Sequence, residues 1–379
     1  MLAHFGHHVL TSLTVPLLPF IRDHFALDYT QSGLLISAFS LSYGFSQLPS
    51  GWLADRVGPR IVITTGISGV ALAGLLVGLS KTYTMMIVCL VLMGVAGGGY
   101  HPAVPPLIST SVGPRNRGRA LGLHLAGGNA SFILTPLIGV AIATAWGWRG
   151  SFIGLAVPTI ILGMIFYVLF GRQREVQKEK HKALESHGEI SSTRGHLRPL
   201  IAIMILSTCT QAVTFSTVSF IPLFMVDHFN VSEQTAAAFL SIMYSAGLWA
   251  SPLGGHLSDR VGRIPVILVA CLISGPVVYL LTLAPYGLGF GAVLLVMGML
   301  STTRMPVSEA YIVGQSSKGH RSTVLGIYFF AAMEGGGVLT PVMGALIERF
   351  GFYYSFAIAG ATLVMVTLVC SVWLLGSRE

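Results

Sequence analysis

Residues 51–58 read GWLADRVG and residues 255–262 read GHLSDRVG, so one octapeptide pattern occurs twice, 204 positions apart. Three more pairs of segments repeat at this offset, the last with one residue of slippage: 23–25 and 227–229 (both DHF), 121–122 and 325–326 (both LG), and 135–139 (TPLIG) and 340–344 (TPVMG). A single offset that links four separated segments indicates an internal duplication. We therefore expect two similar halves of the same orientation.

The composition indicates that both halves lie in a membrane. Of the 379 residues, 53% are hydrophobic and 9% are charged, whereas soluble domains carry about 25% charge. The apolar residues form runs of about twenty, the length of a bilayer-crossing helix. The predicted spans are 2–21, 31–53, 61–80, 84–111, 120–145, 149–170, 200–226, 235–257, 264–284, 288–313, 324–347 and 352–375. This predicts an all-α polytopic membrane protein with twelve transmembrane helices in two pseudo-symmetric six-helix bundles.

The longest polar stretch divides these spans six and six. We expect an N-terminal bundle at 1–171, a flexible or partly helical cytoplasmic linker at 172–198 and a C-terminal bundle at 199–379. The first run contains three histidines and lacks a basic segment before it, so we expect no cleavable signal peptide. This run starts almost at Met1, which leaves open whether the native start lies further upstream.

The basic residues predict the orientation. With both termini cytoplasmic, 17 cations lie inside: Arg56, Arg60, Arg115, Arg117, Arg119, Arg172, Arg174, Lys178, Lys180, Lys182, Arg194, Arg198, Arg260, Arg263, Lys318, Arg321 and Arg378. Only 4 lie outside: Arg22, Lys81, Arg149 and Arg349. The positive-inside rule therefore places both ends in the cytoplasm. The short outer loops favour a prokaryotic inner (plasma) membrane, and we expect a monomer.

The same pattern excludes several other classes of protein. The net charge is +8, but the cations stand between apolar runs, so nucleic acid is not an expected partner. No HExxH, GxSxG or P-loop motif occurs, and we expect neither an enzyme nor ATP-driven chemistry. We expect no cofactor and no metal, because the cysteines occupy four different runs without zinc-site spacing: Cys89, Cys209, Cys271 and Cys370.

Between the second and third runs, residues 51–60 follow the pattern G-x-L-x-D-R-x-G-x-R. This segment resembles the signature loop of the major facilitator superfamily, and the copy at 255–263 occupies the same place in the other half. The resemblance covers the whole chain. It implies two bundles that bind a solute near the bilayer midplane and expose it alternately to each side.

The resemblance also implies a role for the two loops. They latch the halves together on the cytoplasmic side through Gly51, Asp55, Arg56, Gly58, Arg60, Asp259, Arg260, Gly262 and Arg263. In physical terms, Gly51 and Gly58 permit close helix approach and a tight turn, and Asp55 can cap a helix or pair with the arginines at 115–119. The alternative is that these charges only set the topology.

Two glycine-rich segments partly resemble the antiporter motif of this family. The fifth span contains a GGN triplet at 127–129 before TPLIG, and the eleventh contains GGG at 335–337 before TPVMG. Small residues allow close helix packing and proline kinks a helix, so generic packing is the alternative explanation. The motif therefore favours antiport only weakly.

The fourth span departs from the pattern of proton-coupled drug exporters. Residues 92–102 read LMGVAGGGYHP and lack the arginine that many of those exporters carry there. The Tyr-His-Pro-Ala segment loosely resembles the fosmidomycin-resistance-like branch. Its triple glycine also resembles that of anion porters, in which a close backbone approach admits an oxyanion.

Ionisable residues at membrane depth suggest the solute and proton-coupling site. Glu334 suits a proton carrier, since a carboxyl group in low dielectric stays neutral unless it is paired. Arg304, which corresponds to Tyr100 at the 204 offset, suits an anionic solute or a permanent pair with Glu309 or Glu334. A relay formed by histidines of spans one, four and five is a further hypothesis, and ordinary interhelical hydrogen bonds are its alternative. The candidate cavity residues are Glu334, Arg304, His101, Tyr100, His124, Asn129, Gln211, Tyr43, Tyr328, His8 and Glu309, with His7 as an added titratable group.

These observations favour a secondary active transporter that exports a small organic solute in exchange for protons. The main alternative is proton-coupled symport or exchange of a small organic or inorganic anion. A membrane-embedded enzyme lacks a motif, and a sensor lacks room for a signalling domain.

Overall fold

The structure is a computed structural model that describes residues 1–113, 116–171, 197–316 and 321–375. Within these ranges the chain forms helices and no strand. The helices are α1 (Leu2–Thr11), α2 (Leu18–Phe25), α3 (Tyr29–Val57), α4 (Pro59–Leu79), α5 (Tyr83–Gly97), α6 (Tyr100–Ser111), α7 (Arg117–Gly171), α8 (Leu197–Ser219), α9 (Ile221–Phe229), α10 (Glu233–Ser245), α11 (Ala250–Val261), α12 (Arg263–Leu280), α13 (Leu288–Gln315) and α14 (Arg321–Leu375), with a 3-10 turn at Ala246–Leu248.

Seven segments of the described chain are long and apolar enough to cross a membrane, or eight if the bent pair α10–α11 is counted as one. Two of the seven, Arg119–Leu169 and Gly326–Leu374, contain 51 and 49 residues. A straight helix of that length measures about 75 Å, more than twice the hydrocarbon core of a bilayer. Each therefore contains two predicted spans.

A glycine separates the two spans in each long helix. Gly147 in α7 and Gly351 in α14 have φ of 75° and 74°, a backbone conformation that other residues rarely adopt. Arg149 follows the first of these turns and donates two hydrogen bonds, of 3.0 and 2.6 Å, to the carbonyl oxygen of Ser80 at the end of α4.

The backbone repeats the 204-residue offset found in the sequence. Positive φ occurs at Ala26 and Asn230 (both 51°), at Gly58 and Gly262 (90° and 95°), and at Gly147 and Gly351. Each pair is separated by 204 positions. The duplication therefore extends to the turns that connect the helices.

Four predicted spans are interrupted where the sequence analysis expected one continuous helix. The second segment of each begins with a proline in its first turn: Pro19 in α2, Pro102 in α6, Pro222 in α9 and Pro252 in α11. Proline lacks the N–H that continues a helix and is tolerated in a first turn, where that N–H has no helical partner. Hydropathy alone does not register such breaks.

The chain folds into two compact units. The N-terminal unit comprises Met1–Leu17 and Ala38–Glu189, and the C-terminal unit comprises Leu18–Ser37 and Ile190–Glu379. The hairpin at 18–37 thus packs with the second unit. The boundaries 1–171 and 199–379 stay a prediction, and the linker at 172–198 lies outside the described residues except for its last two, which begin α8.

Glycines of α5 allow it to lie directly against α3 in the N-terminal unit. A Cβ atom on Gly94 would stand 2.6 Å from the carbonyl oxygen of Phe39, and one on Gly98 would stand 2.7 Å from that of Tyr43. The space beside these glycines of the fourth span is therefore occupied by the backbone of α3. That geometry favours helix packing over the oxyanion contact considered for the triple glycine.

Large apolar side chains also lie on the outside of the units. Leu72, Trp146, Val168 and Val372 are each more than half exposed. Such exposure is costly in water and favourable in lipid, which agrees with helices that span a bilayer.

Candidate functional site

Five histidines from three helices lie together in the N-terminal unit. We call them the histidine cluster: His4, His7 and His8 on α1, His101 on α6, and His124 on α7. The α1 histidines have i, i+3, i+4 spacing, which places them on one face of the helix. All three are buried, His7 completely.

Hydrogen bonds fix two of these rings. Nδ1 of His4 lies 3.0 Å from the carbonyl oxygen of His124, and Nε2 of His7 lies 3.1 Å from the hydroxyl of Tyr43. A carbonyl oxygen only accepts, so Nδ1 of His4 carries a hydrogen. A bond between α1 and the α7 backbone therefore sets the orientation of the His4 ring.

Ring stacking completes the cluster. The His4 and His124 rings stack at 4.1 Å between centroids, and the His7 and Tyr100 rings stack at 4.3 Å. The ring of His101 lies 5.4 Å from that of His4 and 5.3 Å from that of His8. These helices bring aromatic and titratable groups into one buried patch.

A glycine explains how α7 approaches α1 this closely. A Cβ on Gly128 would lie 2.5 Å from Cε1 of His4, and one on the eleventh-span residue Gly336 would lie 2.8 Å from Cδ1 of Phe215 on α8. The glycines of the antiporter-like segments thus pack α7 and α14 onto the first helix of the respective half.

The structure brings together five of the predicted candidates from this half: Tyr43, His8, Tyr100, His101 and His124. Asn129 lies on α7 five residues beyond His124 and is half-buried. The sequence analysis assigned no role to His4, although the 4-7-8 spacing carries the signal. The sequence also predicted no metal ligands, because no Cys/His cluster in it has zinc-site spacing.

Arg304 in the C-terminal unit is almost completely buried, with 1% exposure. Its guanidinium donates to the carbonyl oxygen of Ser207 at 2.9 Å and to Oε1 of Gln211 at 2.5 Å, both on α8. From the sequence, Glu309 or Glu334 was the expected partner of Arg304. The side-chain hydrogen bond found here joins Arg304 to another predicted candidate, Gln211.

The remaining C-terminal candidates are Tyr328, Glu309 and Glu334, on α13 and α14. Tyr328 is buried and packs with Leu200 and Ile312. Glu309 and Glu334 are half-buried. A Cβ on Gly335 would lie 2.9 Å from Cβ of Ala212, so the Glu334 turn of α14 is level with Gln211 on α8.

A second polar site, absent from the sequence predictions, lies near the helix ends that the cation distribution predicts to face outward. We call Arg22, Tyr29, Asp227 and Glu348 the outer cluster. Arg22 forms an ion pair with Asp227, and the Tyr29 hydroxyl donates to the same carboxylate at 2.6 Å. The Tyr29 amide donates to Oε2 of Glu348 at 3.0 Å. These bonds attach the 18–37 hairpin to α9 and α14.

The charges of the outer cluster shift the pKa of two members. Burial by itself lowers the pKa of Arg22, but the Asp227 carboxylate outweighs burial and raises the pKa above its ordinary value. Burial and the same carboxylate raise the pKa of Tyr29. Both groups therefore keep their protons at any physiological pH.

The structure describes only some of the predicted latch residues and of the arginines expected to pair with them. Gly58 and Gly262 adopt positive φ, as a tight turn requires, whereas a Cβ on Gly51 would make only an ordinary 3.8 Å contact with Pro102. Gly51 is therefore not needed for close approach here. Arg115, Lys318 and Arg378 and the side chains of Asp55, Arg117 and Arg321 lie outside the described residues.

The latch arginines bind groups within their own unit. Arg60 donates to the carbonyl oxygen of Tyr167 at 3.1 and 2.5 Å, and Arg263 donates to that of Ala310 at 2.9 Å. Arg56 lies over the ring of Trp52 at 3.9 Å. Asp259 and Arg260 are exposed. Their assignment to a latch stays a prediction.

Comparison with known proteins places this architecture in a family. The profile described as Major Facilitator Superfamily matches residues 1–248 and again residues 203–379. The chain belongs to the major facilitator superfamily, and it is a membrane transporter rather than an enzyme. The fold is the expected all-α fold of a membrane protein of this family.

Relatives of this chain are identical to it at about one aligned residue in four. Multidrug resistance protein MdtG of Klebsiella pneumoniae (strain 342) is 26% identical over 93% of this chain and 87% of its own length. The probable L-galactonate transporter of Escherichia coli (strain K12) is 25% identical over 67% of this chain, and the match spans 60% of that protein.

Solved structures confirm the fold. An inward-facing, occupied bacterial homologue of the human lysosomal transporter Spinster covers 100% of this chain and 94% of its own, with TM-score 0.80 and 16% identity. A POT family transporter in complex with a thioalcohol-conjugated peptide covers 100% and 95%, with TM-score 0.83 and 13% identity.

Proposed function

We propose that this chain exports a small organic solute in exchange for protons, and that the histidine cluster takes up the coupling proton. The observation that carries the proposal is the gathering of five histidines from α1, α6 and α7 in one buried patch. Histidine is the side chain whose charge changes most readily near neutral pH. Similarity to the MdtG multidrug resistance proteins supports export of an organic compound.

The geometry supports uptake of one proton at a time. The His4 and His124 rings are 4.1 Å apart, and two like charges at that distance repel strongly in a medium of low dielectric. A single proton shared among neighbouring rings avoids this repulsion. Glu334, half-buried on α14, is a second candidate proton carrier and is tested separately.

The test uses purified protein in liposomes containing a pH-sensitive dye, with ethidium as a drug-like probe. In a proton-coupled exporter, the imposed gradient drives protons across the membrane in one direction. Ethidium then moves in the opposite direction. We expect His101→Asn to abolish gradient-driven transport but to retain ethidium exchange at equal pH, because exchange needs no net protonation. His256→Asn, at an exposed histidine of the other unit, is the matched control.

Two results would contradict the proposal. Gradient-driven transport at the wild-type rate in both His4→Asn and His101→Asn would remove the histidine cluster from coupling. Loss of coupling in Glu334→Gln alone would transfer the role to the carboxyl group.

The second candidate function is proton-coupled symport or exchange of an organic anion. The buried guanidinium of Arg304 favours it, as does similarity to a probable L-galactonate transporter. Direct contact with an anion would first require Arg304 to release Gln211, which makes this candidate the weaker one. Entry of L-galactonate together with protons, lost in Arg304→Lys, would favour it over export.

We further propose a prokaryotic inner (plasma) membrane location, both termini in the cytoplasm and a monomeric transporter whose partners are the solute, protons and lipid. The distribution of cations supports the orientation.

A further inference from the structure

Three members of the histidine cluster have the spacing of metal ligands. One ring nitrogen from each of His4, His8 and His101 lies within 4.8 Å of the corresponding nitrogens of the other two. The first two residues are one helical turn apart on α1, and the third is on α6, so the fold rather than a sequence motif brings them together.

The hydrogen bond of His4 leaves one nitrogen available as a ligand. Nδ1 donates its hydrogen to the carbonyl oxygen of His124, so Nε2 of the neutral ring bears a lone pair. Nε2 is buried and makes no hydrogen bond to any residue of the described chain. A buried nitrogen lone pair without a donor is costly, and a metal ion would satisfy it.

His8 is oriented in the same way. Its Nδ1 lies 3.2 Å from the hydroxyl oxygen of Thr11, and that hydroxyl donates to the carbonyl oxygen of His7 at 3.2 Å. With the single Thr11 hydrogen on that carbonyl, Nδ1 of His8 donates to the Thr11 oxygen in the tautomer that leaves the lone pair on Nε2. Metal-ligating histidines characteristically donate their other ring N–H to such an outer partner.

Distances and ligand chemistry restrict the type of ion. Zinc binds imidazole nitrogen at about 2.0–2.1 Å, which requires nitrogens about 3.4 Å apart in a tetrahedral site. The three nitrogens reach that separation if each moves by about 1 Å toward a common centre. Neutral imidazoles suit zinc, copper, iron or nickel, whereas magnesium and calcium prefer oxygen.

We propose that His4, His8 and His101 form a binding site for a divalent late transition-metal ion in the N-terminal half of this transporter. The three ligands leave a fourth position for water. This site goes beyond the proposed export of an organic solute and does not depend on it, because binding is measured without transport.

The first experiment is calorimetric titration of Zn²⁺ into tag-free purified protein, followed by thermal unfolding with and without Zn²⁺. We expect one zinc ion per chain, a rise in the unfolding temperature, and no such rise with Mg²⁺. His4→Asn and His101→Asn should each weaken zinc affinity at least tenfold, whereas His256→Asn should leave it unchanged. Absence of zinc binding in the wild type, or wild-type affinity in both cluster variants, would overturn the proposal.

A second experiment tests ligation directly in a variant that keeps a metal ligand. In His101→Cys, a thiolate replaces imidazole at the same position, so Co²⁺ should produce a new sulfur-to-cobalt charge-transfer band that the wild type lacks. The native cysteines are common to both proteins and do not account for a difference. A Co²⁺-loaded variant without the band would exclude position 101 from the site.

Discussion

Gly58 and Asp227 illustrate how single residues act in this protein. Gly58 has φ of 90° between α3 and α4, a conformation in which a Cβ atom strains the backbone. The half-buried carboxylate of Asp227 forms an ion pair with Arg22 and accepts a hydrogen bond from the hydroxyl of Tyr29. Backbone geometry therefore explains why position 58 is a glycine, and the two partners explain why position 227 is an aspartate.

Gly58→Ala should lower the free energy of unfolding by about 2 kcal/mol, because alanine must adopt positive φ. Gly51→Ala, in the last two turns of α3, is the control, since its Cβ would make only an ordinary 3.8 Å contact. Thermal unfolding in detergent measures both. Equal stability of the two variants would show that the turn relaxes without cost.

Asp227→Asn should destabilise the protein by about 2 kcal/mol, because it leaves the Arg22 guanidinium without its main counter-charge. The control is Asp23→Asn, since Asp23 also binds Arg22 but its side chain is 59% exposed. An exposed ion pair contributes about 0.5 kcal/mol. Denaturant titration of both variants checks the difference, and a larger loss in Asp23→Asn would contradict the assignment.

At the scale of elements, the crossing of α3 and α14 depends on glycine. A Cβ on Gly33 would lie 2.8 Å from Cα of Pro341 and 2.8 Å from the carbonyl oxygen of Thr340. These are backbone atoms that cannot rotate away. The antiporter-like segment of α14 therefore also forms the surface on which the outer part of α3 rests.

Gly33→Ala should cost about 2 kcal/mol of stability through overpacking at this crossing. Gly122→Ala in α7 has open space around its Cβ and should gain about 0.5 kcal/mol through helix propensity. Unfolding temperatures of the two variants should move in opposite directions. A parallel shift would mean that packing does not limit position 33.

At the scale of the whole molecule, duplication and charge determine the layout. The 204-residue offset recurs in sequence and in the turn geometry, and most cations lie on one side of the predicted spans. The duplication therefore predicts two halves of the same orientation in the membrane, as an even number of spans per half requires.

The orientation itself is tested in intact cells with a membrane-impermeant maleimide. We expect Lys81→Cys, in an outer turn, to react, and Arg174→Cys, in the predicted cytoplasmic linker, to react only after the cells are lysed. Labelling in the reverse order would invert the topology inferred from the cations.

The sequence predicted the spans well because transfer of apolar residues into lipid is additive and local. The predicted turn between 145 and 149, for instance, contains Gly147. It did not predict the breaks in four spans, although their prolines were visible, because hydropathy averages over backbone geometry. It gathered several histidines as candidates but assigned no role to His4, whose ring is placed by the approach of α7 at Gly128.

The sequence by itself thus determined the helical membrane fold, the duplication and the family, all of which follow from local composition and short motifs. Only the tertiary structure decided which polar groups meet. Arg22 reaches Asp227 across 205 positions and His4 reaches the His124 carbonyl across 120. Such contacts depend on how each helix is rotated and how closely glycines let it approach its neighbour, and no single segment of sequence encodes that geometry.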